Sequence, residues 1–157
     1  TLALQVFCRP LRQAGHEVRV VSLEQDQRIA GELQGHLATA GLEHGVQVLV
    51  CPPIERRFHG RDVVCYDLSA LSQVLGPGAV DFVLIDGPHG PPGSRAPTLP
   101  DLLGARLLAP GARVLMDDAL RDGELWAATL WAERHGLRLD GVVWTTKGLL
   151  LGAVASP

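Results

Sequence analysis

Short, continuous apolar runs alternate along the chain with segments in which apolar residues recur every three or four positions. Continuous runs are typical of strands that a parallel sheet buries on both faces, and the wider spacing is typical of helices with one buried face. The sequence predicts strands at Val18–Leu23, Val46–Val50, Phe82–Ile85, Val114–Met116, Leu137–Thr145 and Gly148–Val154. It predicts helices at Thr1–Ala14, Asp26–Ala40, Ser69–Val74, Leu99–Leu108 and Asp122–Arg134, with a short extended piece at Val63–Tyr66 and a charged, irregular segment at Ile54–Asp62.

This alternation predicts an α/β fold, a doubly wound Rossmann-like sandwich whose sheet is mostly parallel and ends in an antiparallel closing strand. No repeat or linker interrupts the pattern, which predicts a single domain over residues 1–157. The chain opens on a helix, whereas doubly wound folds normally begin with a strand and a glycine-rich turn. We therefore expect the first strand of the fold to be missing from this sequence, and the natural protein to extend upstream of Thr1.

The stretch from Asp81 to Asp118 has the pattern of a strand, a helix and a second strand, which is the repeating unit of a parallel sheet. Its first strand ends at Asp86 and its second at Asp117-Asp118. Parallel strands end at the same edge of a sheet, so the three carboxylates should meet there. Open α/β sheets bind their ligands at this carboxyl edge, and we expect the chemistry of the chain at that place.

Each of these acids has a functional and a structural interpretation. Asp86, followed by the tight turn Gly87-Pro88, could hold a metal ion, a substrate hydroxyl or a cofactor amine, or could simply cap its turn. The adjacent Asp117 and Asp118 repel each other unless a cation or hydrogen bonds offset their charges. Oxygen-only ligands favour Mg²⁺; alternatively, one acid caps the next helix and the other pairs with Arg121.

Two further residues are candidates for a site. His89 lies in the loop just after Asp86, where it is either a general base for a substrate hydroxyl or an exposed loop histidine. Glu24 ends an apolar strand, where an acid can accept hydrogen bonds from both ribose hydroxyls of a nucleotide. Alternatively, Glu24 and Asp26 are favoured there by the dipole of the following helix.

Composition and motifs exclude several classes of function. The net charge of −3 offers no field that would attract nucleic acid or an anionic membrane, and no apolar run is long enough to span a membrane. The three cysteines are widely spaced and odd in number, which predicts free thiols, two of them buried, in a reducing, cytoplasmic compartment. The chain has neither a GxSxG elbow nor a GxxxxGK[ST] phosphate loop, which disfavours a hydrolase or a nucleotide triphosphatase.

The order of these motifs resembles that of class I S-adenosylmethionine-dependent methyltransferases. A strand ends in Glu24, a proline turn follows the next strand, and DFVLIDGPHG and LLAPGARVLMDD come after it. The chain is most similar to the small-molecule O-methyltransferase-like branch. Within that branch, Arg95–Pro100 (RxPxLP) and Asp117–Glu124 (DDALRDGE) also resemble family segments, whereas the family's upstream glycine-rich motif has no counterpart here.

The resemblance implies S-adenosylmethionine as cofactor, with Glu24 at the ribose, Pro52-Pro53 at the adenine and Asp86 at the methionine end. The implied cofactor-binding residues are Glu24, Gln25, Pro53, Asp86, Gly87 and Pro88. In catechol-type relatives the acids after the fourth and fifth strands hold Mg²⁺, which implies a metal site at Asp86, Asp117 and Asp118. The implied catalytic residues are Asp86, His89 and Asp118, acting on the hydroxyl of a small-molecule acceptor.

Two other functions remain open from the sequence. The segment LRQAGHEVRVVSLE also resembles half of a dinucleotide site, which would make the chain an NAD(P)-dependent Rossmann oxidoreductase. A methyltransferase-like domain without its glycine loop could instead be a non-catalytic interaction module. The closing strand pair could form the contact of a homodimer. Cofactor binding and cofactor identity distinguish the three functions.

Overall fold

The computed structural model describes residues 2–155, with residues 2, 3 and 7 described by their backbone alone, so the predicted helix start at Thr1 lies outside the described residues. The chain divides into two compact units, one ending at Pro52 and the other starting at Pro53.

The first unit is a strand–helix–strand unit preceded by a helix. Its elements are α1 (Leu2–Gln13), β1 (Val20–Glu24), α2 (Gln27–Thr39) and β2 (Val46–Val50). The two strands pair in parallel, from Val20 opposite Val46 to Glu24 opposite Val50. Asp26 caps α2, because its side chain accepts hydrogen bonds from the backbone N–H groups of Arg28 and Ile29. The predicted elements of this unit are therefore present, with α1 continuing through Pro10.

The second unit begins with a β-hairpin and continues into a mixed sheet with helices. Its elements are β3 (Pro53–Phe58), β4 (Arg61–Tyr66), a 3₁₀ turn (Leu68–Ala70), α3 (Leu71–Val74), β5 (Val80–Ile85), α4 (Thr98–Gly104), β6 (Leu108–Asp117), α5 (Asp122–Arg134), β7 (Leu137–Val143) and β8 (Leu149–Val154). The sheet order is β5-β6-β8-β7. β5 and β6 are parallel, and β8 runs antiparallel to both of its neighbours.

The core of the second unit lies between this sheet and α5. Val114 and Met116 of β6, Leu99 of α4 and Trp131 of α5 are all fully buried. The Trp131 indole Nε1 donates a hydrogen bond of 2.7 Å to the Ala96 carbonyl, which satisfies the polar atom of a buried aromatic side chain. This contact fixes the loop before α4 against α5.

The predicted irregular segment at Ile54–Asp62 is wrong, because these residues form most of the β3–β4 hairpin. The turn is His59-Gly60, both with positive φ (45° and 82°), which suits a two-residue hairpin loop. Because this segment carries many charged side chains, the sequence pattern did not indicate strands there. Arg57 pairs with Asp62 across the hairpin, and Arg61 stacks on the Trp126 ring with its guanidinium carbon 4.1 Å from the ring centroid.

The helix predicted at Leu99–Leu108 is shorter in the structure and ends at Gly104. Arg106 takes a left-handed conformation (φ 56°), and Leu107 N–H donates back to the Leu102 carbonyl at 3.0 Å. This is a Schellman ending without its usual glycine. The apolar residues after it belong to β6, which is much longer than the predicted Val114–Met116.

The three cysteines have free thiols, with Cys51 and Cys65 buried and Cys8 half-buried. Burial raises the pKa of the Cys65 thiol. None of the described helices combines the length and the apolar character that a membrane crossing requires. Of the tryptophans, Trp131 is buried whereas Trp144 is 81% exposed.

Lowering the pH is expected to destabilise the protein through His135. Burial and the charges of His59 and Arg134 lower the pKa of His135 below its usual value. The unfolded chain, with an ordinary histidine pKa of about 6.5, then binds the proton more readily than the folded chain, so stability falls as the pH drops through about 6.5. Urea denaturation at a series of pH values measures this loss.

The substitution His135→Gln should flatten the dependence of the free energy of unfolding on pH. The control His44→Gln removes an exposed imidazole and should leave this dependence as in the wild type. Equal slopes for the wild type and His135→Gln would show that His135 does not carry the effect.

Candidate functional site

The three predicted aspartates meet at the carboxyl ends of β5 and β6. Oxygen atoms of Asp86, Asp117 and Asp118 lie within 4.8 Å of one another. Two further residues belong to the same site, the buried Arg95 from the loop after β5 and the buried Glu124 from the first turn of α5. We call these five residues the carboxyl-edge cluster.

Asp118 is the buried carboxylate of the cluster. Its side chain is 5% exposed, and its backbone has the left-handed conformation (φ 58°) that aspartate tolerates better than most residues. Oδ2 pairs with Arg121 Nη1 at 3.0 Å and with Arg95 Nη2 at 3.1 Å. Oδ1 lies 3.3 Å from Lys147 Nζ. Desolvation alone would raise the pKa of Asp118, but these three cations outweigh it and hold the pKa below its usual value.

Arg95 joins the ends of the two parallel strands. Its Nη1 donates to the Asp117 carbonyl at 2.6 Å, and its Nη2 donates to the Asp86 carbonyl at 2.8 Å. The same Nη2 lies 3.5 Å from Asp86 Oδ1, and Nε lies 3.8 Å from Glu124 Oε1. A planar guanidinium with several donors can serve all these acceptors at once, which an ammonium group cannot.

The loop that carries Arg95 is held by contacts within the loop and by contacts with α5. Ser94 Oγ donates to the Pro91 carbonyl at 2.7 Å. Gly93 (φ 90°) packs against Trp126, and a Cβ there would lie 2.9 Å from the indole ring. Together with the bond from Trp131 to Ala96, these contacts hold the backbone on both sides of Arg95.

Asp86 is the exposed acid of the cluster, with 68% of its side chain accessible. Desolvation and the negative charge of Asp117 raise its pKa, and the charge of Arg95 partly offsets them. In the following turn Gly87 lies under Tyr66, where a Cβ would come within 2.8 Å of the hydroxyl oxygen. Pro88 is buried and His89 is exposed. A ligand at this edge would therefore meet Asp86 and His89 before any other predicted residue of the loop.

The remaining predicted residues lie around the ends of β1 and β2. Glu24 ends β1, and its Oε1 accepts hydrogen bonds from the backbone N–H groups of Gln25 at 2.7 Å and Asp26 at 3.2 Å. Gln25 is half-buried in that turn. Pro53 is exposed and is the first residue of β3, in the second unit. These two bonds fix one carboxylate oxygen of Glu24, Oε1, in the turn after β1.

The donor set of the cluster does not fit the divalent metal ion that the family resemblance implied. The carboxylates of Asp86, Asp117 and Asp118 come together as a metal site would need. However, Arg95 Nη2 already bridges Asp118 Oδ2 and Asp86 Oδ1, and Lys147 pairs with the other oxygen of Asp118. Arginine keeps its charge at any accessible pH, so a divalent ion would face a permanent cation.

The sequence analysis did not predict that Arg95, Glu124 and Lys147 lie at this site. The pairing of Asp118 with Arg121 was one of its alternatives, and the structure contains that pair. The sequence signal that could have identified Arg95 is its place in a loop rich in glycine and proline, between two strands that end in acids. Lys147, far along the chain, comes to Asp118 only because β8 inserts next to β6.

Comparison with known proteins identifies the fold. No protein-family model matches the sequence, and no curated protein matches it. Among solved structures, the chain is similar to a methyltransferase from Geobacter sulfurreducens (TM-score 0.59, 21% identity, 88% of this chain and 59% of that one). It is also similar to an O-methyltransferase from Bacillus cereus in complex with SAH (TM-score 0.56, 18% identity, 87% of this chain and 62% of that one).

A third similar structure is an SAH-bound methyltransferase from Podospora anserina (TM-score 0.64, 12% identity, 90% of this chain and 62% of that one). The chain spans less than two thirds of the length of each of these three proteins. The likeness shows that the chain has a Rossmann-like α/β fold, which these three proteins share.

Proposed function

We propose that this chain is an S-adenosylmethionine-dependent methyltransferase that acts on a hydroxyl group of a small molecule. The observation that carries the proposal is the structural likeness, over 87% and 90% of the chain, to two methyltransferases that hold SAH (S-adenosylhomocysteine), one of them an O-methyltransferase. The exposed acid and the buried charge network at the carboxyl ends of β5 and β6 support it, since open α/β sheets bind ligands at this edge.

Glu24 is the residue of the first unit that recognises the cofactor. Its carboxylate is fixed by the N–H groups of Gln25 and Asp26, and its second oxygen accepts hydrogen bonds from ribose hydroxyls. Gln25 and Pro53 contribute to the adenosine end. Gly87 and Pro88, with Asp86, form the turn that receives the methionine end.

Asp86 is the general base of the reaction. S-adenosylmethionine supplies a methyl group bound to a positively charged sulfur. Transfer of that methyl group to the acceptor oxygen would leave the electron pair of the broken carbon–sulfur bond on sulfur, and the acceptor hydroxyl would have to give up its proton. The proton of the acceptor hydroxyl passes to the Asp86 carboxylate, and His89, exposed in the same loop, is the second candidate base.

Asp118 is buried too deeply to meet an acceptor directly. It acts by holding Arg95, whose donor bonds to the Asp86 and Asp117 carbonyls keep the two strand ends in place. The net charge of −3 supports a small acceptor over a nucleic acid. The homodimer and the cytoplasmic location expected from the sequence stay predictions.

Calorimetric titration of SAH into the protein is the first test. We expect saturable binding at one site per chain. Glu24→Ala should weaken it by about 10–100-fold, because hydrogen bonds to a charged group contribute about 1.5–3 kcal/mol. The matched control is Glu32→Ala, which removes an exposed acid from α2 and should leave SAH affinity unchanged.

Two other results would contradict the proposal. A folded protein that binds neither SAH nor NAD would favour the interaction module, and one that binds NAD but not SAH would favour the oxidoreductase. Once SAH binding is established, transfer of a labelled methyl group to a panel of small hydroxyl compounds, with RNA as a comparison acceptor, tests the acceptor class.

A further inference from the structure

We propose that Arg95 is the resident cation of the carboxyl-edge cluster and that this site works without a divalent metal ion. The inference deepens the proposed function and rests on it for one consequence, that methyl transfer needs no added metal. The claim about the cluster itself can be tested whether or not the protein is a methyltransferase.

The first argument is the place that the guanidinium occupies. A magnesium ion binds carboxylate oxygens at about 2.0–2.1 Å and would have to draw the acids of the cluster around itself. Arg95 Nη2 lies 3.1 Å from Asp118 Oδ2 and 3.5 Å from Asp86 Oδ1, so it already bridges these two carboxylates. These are two of the three acids that would be ligands.

The second argument is the charge around Asp118. Three cations, Arg95, Arg121 and Lys147, pair with this one carboxylate. A divalent ion on Asp118 would lie beside all three and would be repelled by them. The cluster as a whole has four acids against these three cations, but at Asp118 itself three cations surround one carboxylate, the reverse of the several anionic ligands around one cation in a metal site.

The third argument is that Arg95 cannot easily leave. Its side chain is 7% exposed, and its donors also satisfy the carbonyl groups of Asp86 and Asp117. Moving it aside for a metal would leave these two carbonyls without that donor. It would also separate the guanidinium from the carboxylates and carbonyls that now surround it. Buried polar groups are costly to leave without partners.

Metal titration of the wild-type protein tests the proposal directly. After treatment with EDTA, Mn²⁺ is added and the free ion is followed by electron paramagnetic resonance, with Mg²⁺ added in a parallel thermal denaturation series. We expect no saturable Mn²⁺ site and no rise in the denaturation midpoint with Mg²⁺. Saturable binding of about one Mn²⁺ per chain, lost in Asp118→Asn, would overturn the proposal.

A variant tests whether Arg95 is the group that excludes the metal. Arg95→Met removes the buried cation that bridges the acids, whereas Arg121 and Lys147 are 55% and 61% exposed and can turn outward into water. The variant keeps Asp86, Asp117 and Asp118 together, so it should gain Mn²⁺ binding and be stabilised by the ion. The matched control, Arg56→Met, breaks the partly buried pair with Asp101 and should gain no Mn²⁺ binding. A folded Arg95→Met protein that binds no Mn²⁺ would overturn the role given to Arg95.

If Arg95→Met does not fold without metal, the wild-type titration still decides the question, and refolding of the variant in the presence of Mn²⁺ would support the proposal. SAH titration on the same samples separates this inference from the proposed function. Absence of SAH binding counts against the methyltransferase alone, and Mn²⁺ binding at the cluster counts against the metal-free site alone.

Discussion

Replacing Arg95 with methionine is expected to lower the free energy of unfolding by about 3–5 kcal/mol, the loss typical of a buried ion pair that is deprived of one partner. Methionine fills the space of the aliphatic stem but has no donor. Asp118 and Glu124 then stay buried with one cation fewer, and the carbonyls of Asp86 and Asp117 lose the donor that links the ends of β5 and β6.

Urea denaturation followed by circular dichroism measures this loss. The control Arg57→Met breaks an exposed pair with Asp62 and should change stability little. Adding Asp118→Asn to Arg95→Met should restore part of the stability, since it removes the buried charge that lacks its partner. Equal denaturation midpoints for Arg95→Met and Arg57→Met would show that the buried network contributes no more to stability than the exposed pair does.

The substitution Gly123→Ala is expected to destabilise the protein by about 3 kcal/mol, at the upper end of the range for overpacking. Gly123 lies in the first turn of α5, directly against the loop that carries Arg95. A Cβ at Gly123 would come within 2.6 Å of the Pro92 carbonyl carbon and would also collide with the Gly93 nitrogen. Both are backbone atoms, so α5 or the loop has to move.

The control for Gly123→Ala is the same exchange at Gly31, inside α2, where an added Cβ has no atom within 4 Å. Gly31→Ala should stabilise the protein by about 0.5–1 kcal/mol, because alanine has less backbone freedom to lose in a helix. Thermal denaturation of both variants should therefore give shifts of opposite sign. A neutral Gly123→Ala would mean that α5 does not fix the loop.

Most of the secondary structure was predictable because its signals are local. The bounds of α5 are those predicted, and β2 likewise spans Val46–Val50 as expected. The β3–β4 hairpin was missed because its charged residues are typical of a loop, whereas backbone pairing and a contact distant in the sequence, Arg61 on Trp126, hold the strands. The early end of α4 was missed because Arg106 takes a conformation usually left to glycine.

The candidate site was predictable in its acids and not in its cations. Two apolar strands that end in aspartate necessarily bring their carboxylates to one edge, so Asp86 and Asp118 could be placed together from the pattern alone. The cations come from a loop and from the turn before β8, and their approach depends on the sheet order and on α5. Whether an arginine or a metal ion neutralises these carboxylates therefore depends on the tertiary structure.

The burial of the Arg95–Asp118 pair also determines how the protein responds to ionic strength. Dissolved ions screen charges that water reaches, over a distance of about 8–10 Å at physiological salt. The exposed pairs, such as Arg57 with Asp62, weaken as salt is added, whereas side chains that are 7% and 5% exposed are largely shielded from it. The buried Arg95–Asp118 link between the ends of β5 and β6 is therefore much less sensitive to added salt than the exposed pairs are.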